Sequence, residues 1–283
     1  MGRGRHSGIE ATLKAMQVAY VQYNPAYLDV EQNLKQVEAL LEGIEADLIV
    51  LPELFASGYF FRSRADLEAV AEPIPDGPTT QWMIDRCQQT GAVLVGGLPE
   101  RDGDRFYNSA VVVGPEGLIG RYRKVHLFYE EKLHFSPGDL GFQVFEVTDR
   151  KGQPYRLGVM ICFDWYFPEA ARTLALQGAD VIAHPSNLVR PDCPRAMPIR
   201  ALENHVFTIT ANRYGAESNG HETLRFIGRS LICDPSGRVL HEAPPEGDQV
   251  GLTEIEPQEA RNRRITPYND LFEDRRPDCY RLS

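Results

Sequence analysis

The sequence predicts an α/β protein in which helices cover a mixed sheet or a pair of sheets. Short apolar runs alternate along the chain with segments of helical spacing, and two Gly/Pro turns are placed as hairpin turns. No Gly/Ser linker, low-complexity stretch or composition break divides the chain. Residues 1–15 therefore read as a flexible tail and residues 16–283 as a single domain.

The elements follow in order. "MQVAYVQYN" reads as a strand closed by Asn24-Pro25. In "VEQNLKQVEALLEGIE" the apolar residues Val30, Leu34, Val37, Leu40 and Leu41 recur at helical spacing. "ADLIVLPELF" is a buried strand ending at Pro52-Glu53, and "TTQWMIDRCQQTG" is a helix with Gly91 past its end. "AVLVGGLPE" is the next strand. "NSAVVVGPEGLIGRYRKVHL" is a hairpin turning at Gly114-Pro115-Glu116-Gly117. A strand then ends at Cys162, Pro168 opens a helix, and "ADVIAHPSN" is a further strand. "PRAMPIRALENHVFTITANRYG" runs from helix into strand, and "GRSLICDPSGRVLHEA" is a second hairpin turning at Asp234-Pro235-Ser236-Gly237. The two halves weakly echo each other, each with helices, strands and one hairpin.

The composition excludes several classes. Among 283 residues, 42% are hydrophobic and 25% charged, which is ordinary for a packed globular core. No apolar run approaches the roughly 18–20 residues of a membrane span, and the N-terminus lacks the apolar middle of a secretory signal. A formal net charge of −10 disfavours nucleic acid as a partner, because phosphate contacts need clustered Lys and Arg. The arginine-rich "EARNRRITPYN" is the local exception and reads as a salt-bridged surface. Five widely spaced cysteines without a Cys-x-x-Cys pair favour a reducing, cytoplasmic setting and offer no zinc spacing.

Three polar residues follow apolar runs at predicted strand ends: Glu53, Lys124 and Cys162. Singly, each has an ordinary alternative, since strand-ending charges are common solvated caps and free cysteine is often simply buried. Together they form a chemical unit. A thiol with a pKa of roughly 8.5 needs a base or a cation to act near neutrality. A carboxylate can take its proton and later activate water, and an ammonium can stabilise the oxyanion formed at an attacked carbonyl. The histidines near these segments, His126, His184 and His205, leave a Cys–His pair as the rival arrangement. Asp164, Glu169 and His184 are too irregularly spaced for a metal site, and Glu169 suits a helix N-terminus. Arg200 and Glu203 read as a pair on one helix, with Glu203 within possible reach of the site.

"LPELFASGY", "GRYRKVHLF" and "GVMICFDWYFPEAAR" resemble the three catalytic motifs of the nitrilase superfamily, the carbon–nitrogen hydrolases. "EKLHFSPGD", "HPSNL", "RALENHVFTITANRYG" and "GRSLICDPSGRVL" also resemble family segments, in the family's order, over about residues 16–280. The look is nearest to archaeal and bacterial aliphatic nitrilases and amidases. The resemblance implies a four-layer α-β-β-α sandwich, no metal or organic cofactor, and pairing into homodimers or larger assemblies. It implies Glu53 as general base, Lys124 as oxyanion-stabilising lysine and Cys162 as a nucleophile that forms a thioester. Glu131 matches a second glutamate that positions substrate and lysine, on the register of the following "KLHFSPGD" rather than that of its neighbour Glu130. The Phe163 amide would complete the oxyanion hole, and Tyr59, Tyr166 and Asn187 are further expected substrate-binding residues.

The implied activity is an amidase acting on a small aliphatic amide, with a nitrile or an N-carbamoyl amine as the alternative substrate. A non-catalytic binding module on the same fold ranks below all of these. Branches that recognise a substrate carboxylate often carry arginine a few residues past the cysteine, where a guanidinium would hold it bidentately. Here Tyr166 stands at that position, which favours neutral or amine-bearing substrates unless Arg190 or Arg195 substitutes from a loop.

Overall fold

The computed structural model describes residues 15–280, so the expected N-terminal tail, apart from Ala15, lies outside the described residues. The first half comprises β1 (Met16–Gln22), α1 (Val30–Leu40), β2 (Leu48–Val50), α2 (Arg64–Val70), α3 (Pro78–Thr90), β3 (Val93–Asp102), β4 (Arg105–Gly114), β5 (Gly117–Arg123) and the single turn α4 (Glu131–His134). The second half holds β6 (Val144–Thr148), β7 (Pro154–Val159), α5 (Pro168–Leu176), β8 (Val181–Ser186), α6 (Cys193–Asn204) and β9 (Phe207–Asn212). It continues through the hairpin β10 (Tyr214–Ser218) and β11 (Thr223–Ile227) to β12 (Leu231–Cys233), β13 (Val239–Glu242) and β14 (Gln249–Ile255).

These strands form two six-stranded sheets, ordered β14-β1-β2-β3-β4-β5 and β13-β12-β9-β8-β7-β6. The echo between the halves is visible in both. Each has three parallel strands, β1–β3 or β7–β9, an antiparallel pair added beyond the third, and one antiparallel strand beside the first. Val18, Tyr20, Leu48 and Val50 of the first sheet share one buried cluster with Leu157, Val159, Val181 and Ile209 of the second. The opposite face of the first sheet, through Ala19, Ile49, Leu51 and Leu94, packs on Val37 and Leu41 at the end of α1 and Met83 and Cys87 of α3. Helices α5 and α6 cover the outer face of the second sheet, with Leu174 so close that a Cβ on Gly158 would lie 3.2 Å from it. The expected α-β-β-α sandwich is therefore borne out.

Local signals account for most boundaries. Asp29 caps α1 by accepting the Gln32 N–H, Ser63 does the same for α2 through the Asp66 N–H, and Pro78 and Pro168 open their helices. Gly91 ends α3 at φ 73°, as expected, whereas α6 ends on His205 at φ 51°. Both expected hairpins form. Two elements run shorter than the sequence predicts. Helix α1 stops at Leu40, followed by a turn through Gly43, and β2 stops at Val50, leaving Pro52-Glu53 beyond the strand. Proline has no N–H for a ladder bond, and Leu54 turns the chain at φ 50°. Among the described residues, no helix is long and apolar enough to cross a membrane.

Candidate active site

The C-terminal ends of β2, β5 and β7 converge where the two sheets meet. Past β2 the chain keeps its bonds to β3: Leu51 N donates to Val95 O (2.8 Å), Gly97 N to Pro52 O (3.1 Å) and Phe55 N to Gly97 O (3.0 Å). This close pass requires glycine, because a Cβ on Gly97 would sit 2.6 Å from Glu53 Cα. The Asn187 side chain holds the turn from the other sheet, donating to Glu53 O at 2.8 Å. Lys124 is the first residue beyond β5, anchored by its own N–H to Asn108 O and by the Gly138 N–H to its carbonyl, both at 2.8 Å.

The ionic core is compact. Lys124 Nζ lies 2.6 Å from Glu53 Oε1 and 2.7 Å from Glu131 Oε1. Asn108 Nδ2 donates to the same Glu53 oxygen at 2.7 Å, and the Tyr59 hydroxyl donates to Glu131 Oε1 at 2.5 Å. Glu131, not Glu130, reaches the lysine, while Glu130 accepts from Asn219. Among the described residues, Glu53 Oε2 and Glu131 Oε2 are buried without a hydrogen-bond partner. Each carboxylate thus commits one oxygen to the lysine and keeps the other free for a proton.

Cys162 ends the apolar run after β7 at φ 42° and opens a one-turn 3-10 segment, Cys162–Tyr166, ahead of α5. A left-handed backbone at a residue other than glycine costs about 1–3 kcal/mol and persists only where the surroundings hold it. Met160 N donates to Ala183 O (3.1 Å) before the turn, and His184 Nε2 donates to the Cys162 carbonyl (2.9 Å) within it. Cys162 is 4% exposed.

The electrostatics follow from three ionic side chains in a buried site. Burial pulls Lys124 down, but Glu131 and Glu53 outweigh it and hold the lysine above its ordinary range. One cation facing two carboxylates leaves an excess negative charge. Burial first, and then Glu53 against the pull of Lys124, pushes Glu131 up to about 7. Burial and Glu53 also push the Cys162 thiol well up, only partly opposed by Lys124. Cys162 therefore rests as a neutral thiol. For Glu131 the folded state binds the proton more tightly than the unfolded chain does. Its contribution to stability is thus fully present below about pH 4.5 and lost as pH rises through about 7. We expect Glu131→Gln to flatten that part of the profile, by on the order of 3 kcal/mol. Urea midpoints measured across this pH window check it, and an unchanged slope would contradict the assignment.

The histidines stand apart from the thiol. His184 donates to the Cys162 carbonyl, contacts Thr210 and Ser186, and is pushed down to about 4 by burial, so it is neutral at pH 7. His126 bonds Asp164, and His205 is the cap of α6. The Cys–His rival finds no hydrogen-bonded partner for the Cys162 sulfur in these side chains. Asp164, Glu169 and His184 do not converge, and no group of three or more His, Cys, Asp or Glu among the described residues could hold a metal ion. Glu203 forms the expected pair and stands away from the cleft that Cys162 lines. It pairs with Arg200 at 2.9 Å on α6 and lines a separate surface hollow, because the two lie on the same helical face.

Phe163, Tyr166 and Asn187 line a cleft with Cys162, Phe128, Trp165, Leu188, Val189 and Arg190. Arg190 is paired with Asp192 at 2.9 Å. Tyr59, expected to bind substrate, does not line this cleft, and its hydroxyl donates to Glu131. The sequence reading missed Asn108 and Glu217. Glu217 forms a buried pair with Arg213 and accepts the backbone N–H groups of Tyr59 (2.9 Å) and Phe60 (2.8 Å). No local pattern marks either residue, since their partners lie 55 and about 158 residues away.

The chain is similar to known proteins over most of its length. The carbon-nitrogen hydrolase family model matches residues 17–265. A protein of Pyrococcus abyssi named nitrilase is 53% identical over 94% of this chain and 99% of its own. An (R)-stereoselective amidase of a Pseudomonas species is 40% identical over 70% of this chain and 69% of its own. The crystal structure of a carbon-nitrogen hydrolase from Helicobacter pylori superposes with a TM-score of 0.81 at 26% identity, covering 94% of this chain and 97% of that one.

Proposed function

Since the chain belongs to the carbon–nitrogen hydrolase family, we propose that it hydrolyses a small, uncharged aliphatic amide to the carboxylic acid and ammonia through a thioester on Cys162. The observation that carries this reading is the buried Glu53–Lys124–Glu131 group, whose charges act on the Cys162 thiol, beside an apolar cleft that Cys162 lines. Glu53, with its unpartnered Oε2, accepts the thiol proton as sulfur attacks the carbonyl carbon. Lys124 and the Phe163 amide face the oxygen on which negative charge develops. The proton held by Glu53 goes to the leaving nitrogen, ammonia departs and the thioester remains. Glu53 then takes a proton from water, whose oxygen attacks the thioester, and the carboxylic acid leaves as the thiol is restored. Glu131, held by Tyr59, keeps Lys124 in place, and Asn187 braces the Glu53 turn.

The cleft supports the substrate class. Its walls are mostly aromatic and aliphatic, Tyr166 stands where an arginine would read a carboxylate, and Arg190 is already paired with Asp192. A second reading, nitrile hydrolysis, is favoured by the 53% identical relative named nitrilase. The same residues serve it. Sulfur attack on a nitrile gives a thioimidate, one water then leads to the same thioester with loss of ammonia, and a second releases the acid. Five free cysteines support a reducing cytoplasm, and exposed Leu176 of α5 with Ile199 and Leu202 of α6 supports pairing of subunits.

The test is ammonia release from matched short-chain amides and nitriles, with an N-carbamoyl amine as a third arm. Faster release from amides is the expected result. Preference for nitriles selects the second reading, and release from none of the three would overturn the hydrolase assignment.

A further inference from the structure

Asp164 is fully buried two residues past the nucleophile, and both its oxygens are saturated. Oδ2 accepts from the Ile161 N–H and from the Tyr122 hydroxyl, each at 2.8 Å. Oδ1 accepts from the His126 N–H at 3.2 Å and from His126 Nδ1 at 2.7 Å. The donors come from two segments. Ile161 directly precedes Cys162, while Tyr122 and His126 flank Lys124 two residues to either side. The link is tightened at both ends: Asp164 N donates back to Ile161 O at 3.0 Å, and Val125 N donates to the Tyr122 hydroxyl at 3.2 Å. The His126 ring stacks on Phe167 at 3.7 Å and 11°, which fixes its orientation.

We propose that Asp164 is a positioning residue that ties the Lys124 segment to the Cys162 turn, setting where the lysine and the thiol stand relative to each other. The need for such a tie is geometric. Lys124 extends from the first sheet and Cys162 from the second, so no strand ladder joins them. The left-handed Cys162 would relax without bonds on both sides of it, and Asp164 supplies the one to Ile161, directly before it. A buried carboxylate accepting four donors is a rigid joint, because losing any one bond strands a desolvated group. The inference rests on the hydrolase reading for what the thiol does, but not for whether it is held.

The test compares Asp164→Asn and Tyr122→Phe with the wild-type protein in two measurements. One is the rate of iodoacetamide alkylation at the Cys162 peptide, which needs no substrate. The other is kcat and KM separately on whichever amide or nitrile is turned over. Misplacing a reacting group by about 1 Å costs about 100-fold. We therefore expect Asp164→Asn to lower kcat by about 100-fold and the alkylation rate by about 10-fold, with KM within about threefold. Asparagine can keep the Ile161 and Tyr122 bonds but presents a donor to the His126 N–H. Tyr122→Phe should give a smaller loss in the same two quantities, about 10-fold in kcat. If Asp164→Asn does not fold, Tyr122→Phe decides. Folded variants that keep both rates within twofold, or that lose only thermal stability, would reduce Asp164 to a packing role and overturn the proposal. Slower alkylation in the variants beside a wild-type protein inert toward every substrate would instead retain the tie and remove the hydrolase reading.

Discussion

Cys162→Ala is expected to abolish turnover, by at least about 10^4-fold, while leaving the fold intact. Removing the nucleophile of a covalent mechanism leaves only binding and electrostatic stabilisation to act on a water, which is a small residue of the full rate. The side chain is buried, but its loss removes a single sulfur atom and leaves the bonds from Met160, Asp164 and His184 that shape the turn. Stability should therefore change by about 1 kcal/mol or less. Cys162→Ser should behave similarly, because a serine hydroxyl is far harder to deprotonate than a thiol in the same surroundings. Ammonia release and thermal melting measured on the same preparations check both halves. A folded Cys162→Ala protein with wild-type turnover would end the thioester mechanism.

Lys124→Met carries the second large effect, on stability as well as rate. Nζ lies within 2.7 Å of two buried carboxylates, and both would lose the cation they share. Breaking a buried ion pair from one side typically costs about 3–5 kcal/mol, and removing a transition-state donor costs about 10^2–10^3 in kcat. The stability deficit has a pH signature. With the lysine gone, the folded protein relieves its excess charge by taking up protons, so the deficit should shrink as pH falls and grow as pH rises. Adding Glu131→Gln to Lys124→Met should recover part of the lost stability and none of the activity. Urea unfolding at two pH values, with turnover measured on both variants, checks this. A Lys124→Met protein as stable and as active as wild type would show that the lysine is a bystander.

Much of the layout was legible from local pattern. The strands ending near Glu53, Lys124 and Cys162 announce themselves as apolar runs cut off by a proline, a basic cluster and an acidic, aromatic turn. The helices α1, α3 and α5 carry their own caps and openers in Asp29, Gly91, Pro78 and Pro168. Strand β14 was not legible, because it pairs with β1 from the far end of the chain, Met16 opposite Ile255. The β10–β11 hairpin was missed as well. It belongs to neither large sheet, and its Glu217 acts on Tyr59 and Phe60 across the site.

Local sequence is enough to specify the chemical groups and the scaffold that presents them. It contains one carboxylate, one lysine and one thiol at strand ends, within an alternation that demands layered sheets. Tertiary structure alone decided how those groups are wired. It gave Lys124 to Glu131 and turned Glu130 away, put the Tyr59 hydroxyl on Glu131, and set His184 against the Cys162 carbonyl rather than the sulfur. The physical reason is one of range. Helix caps, turns and apolar periodicity act over a few residues, so the chain records them locally. Hydrogen bonds and charge interactions in a buried site act through space, between Glu53 and Asn108 or Tyr122 and Asp164, and their partners are fixed only once two sheets have packed face to face.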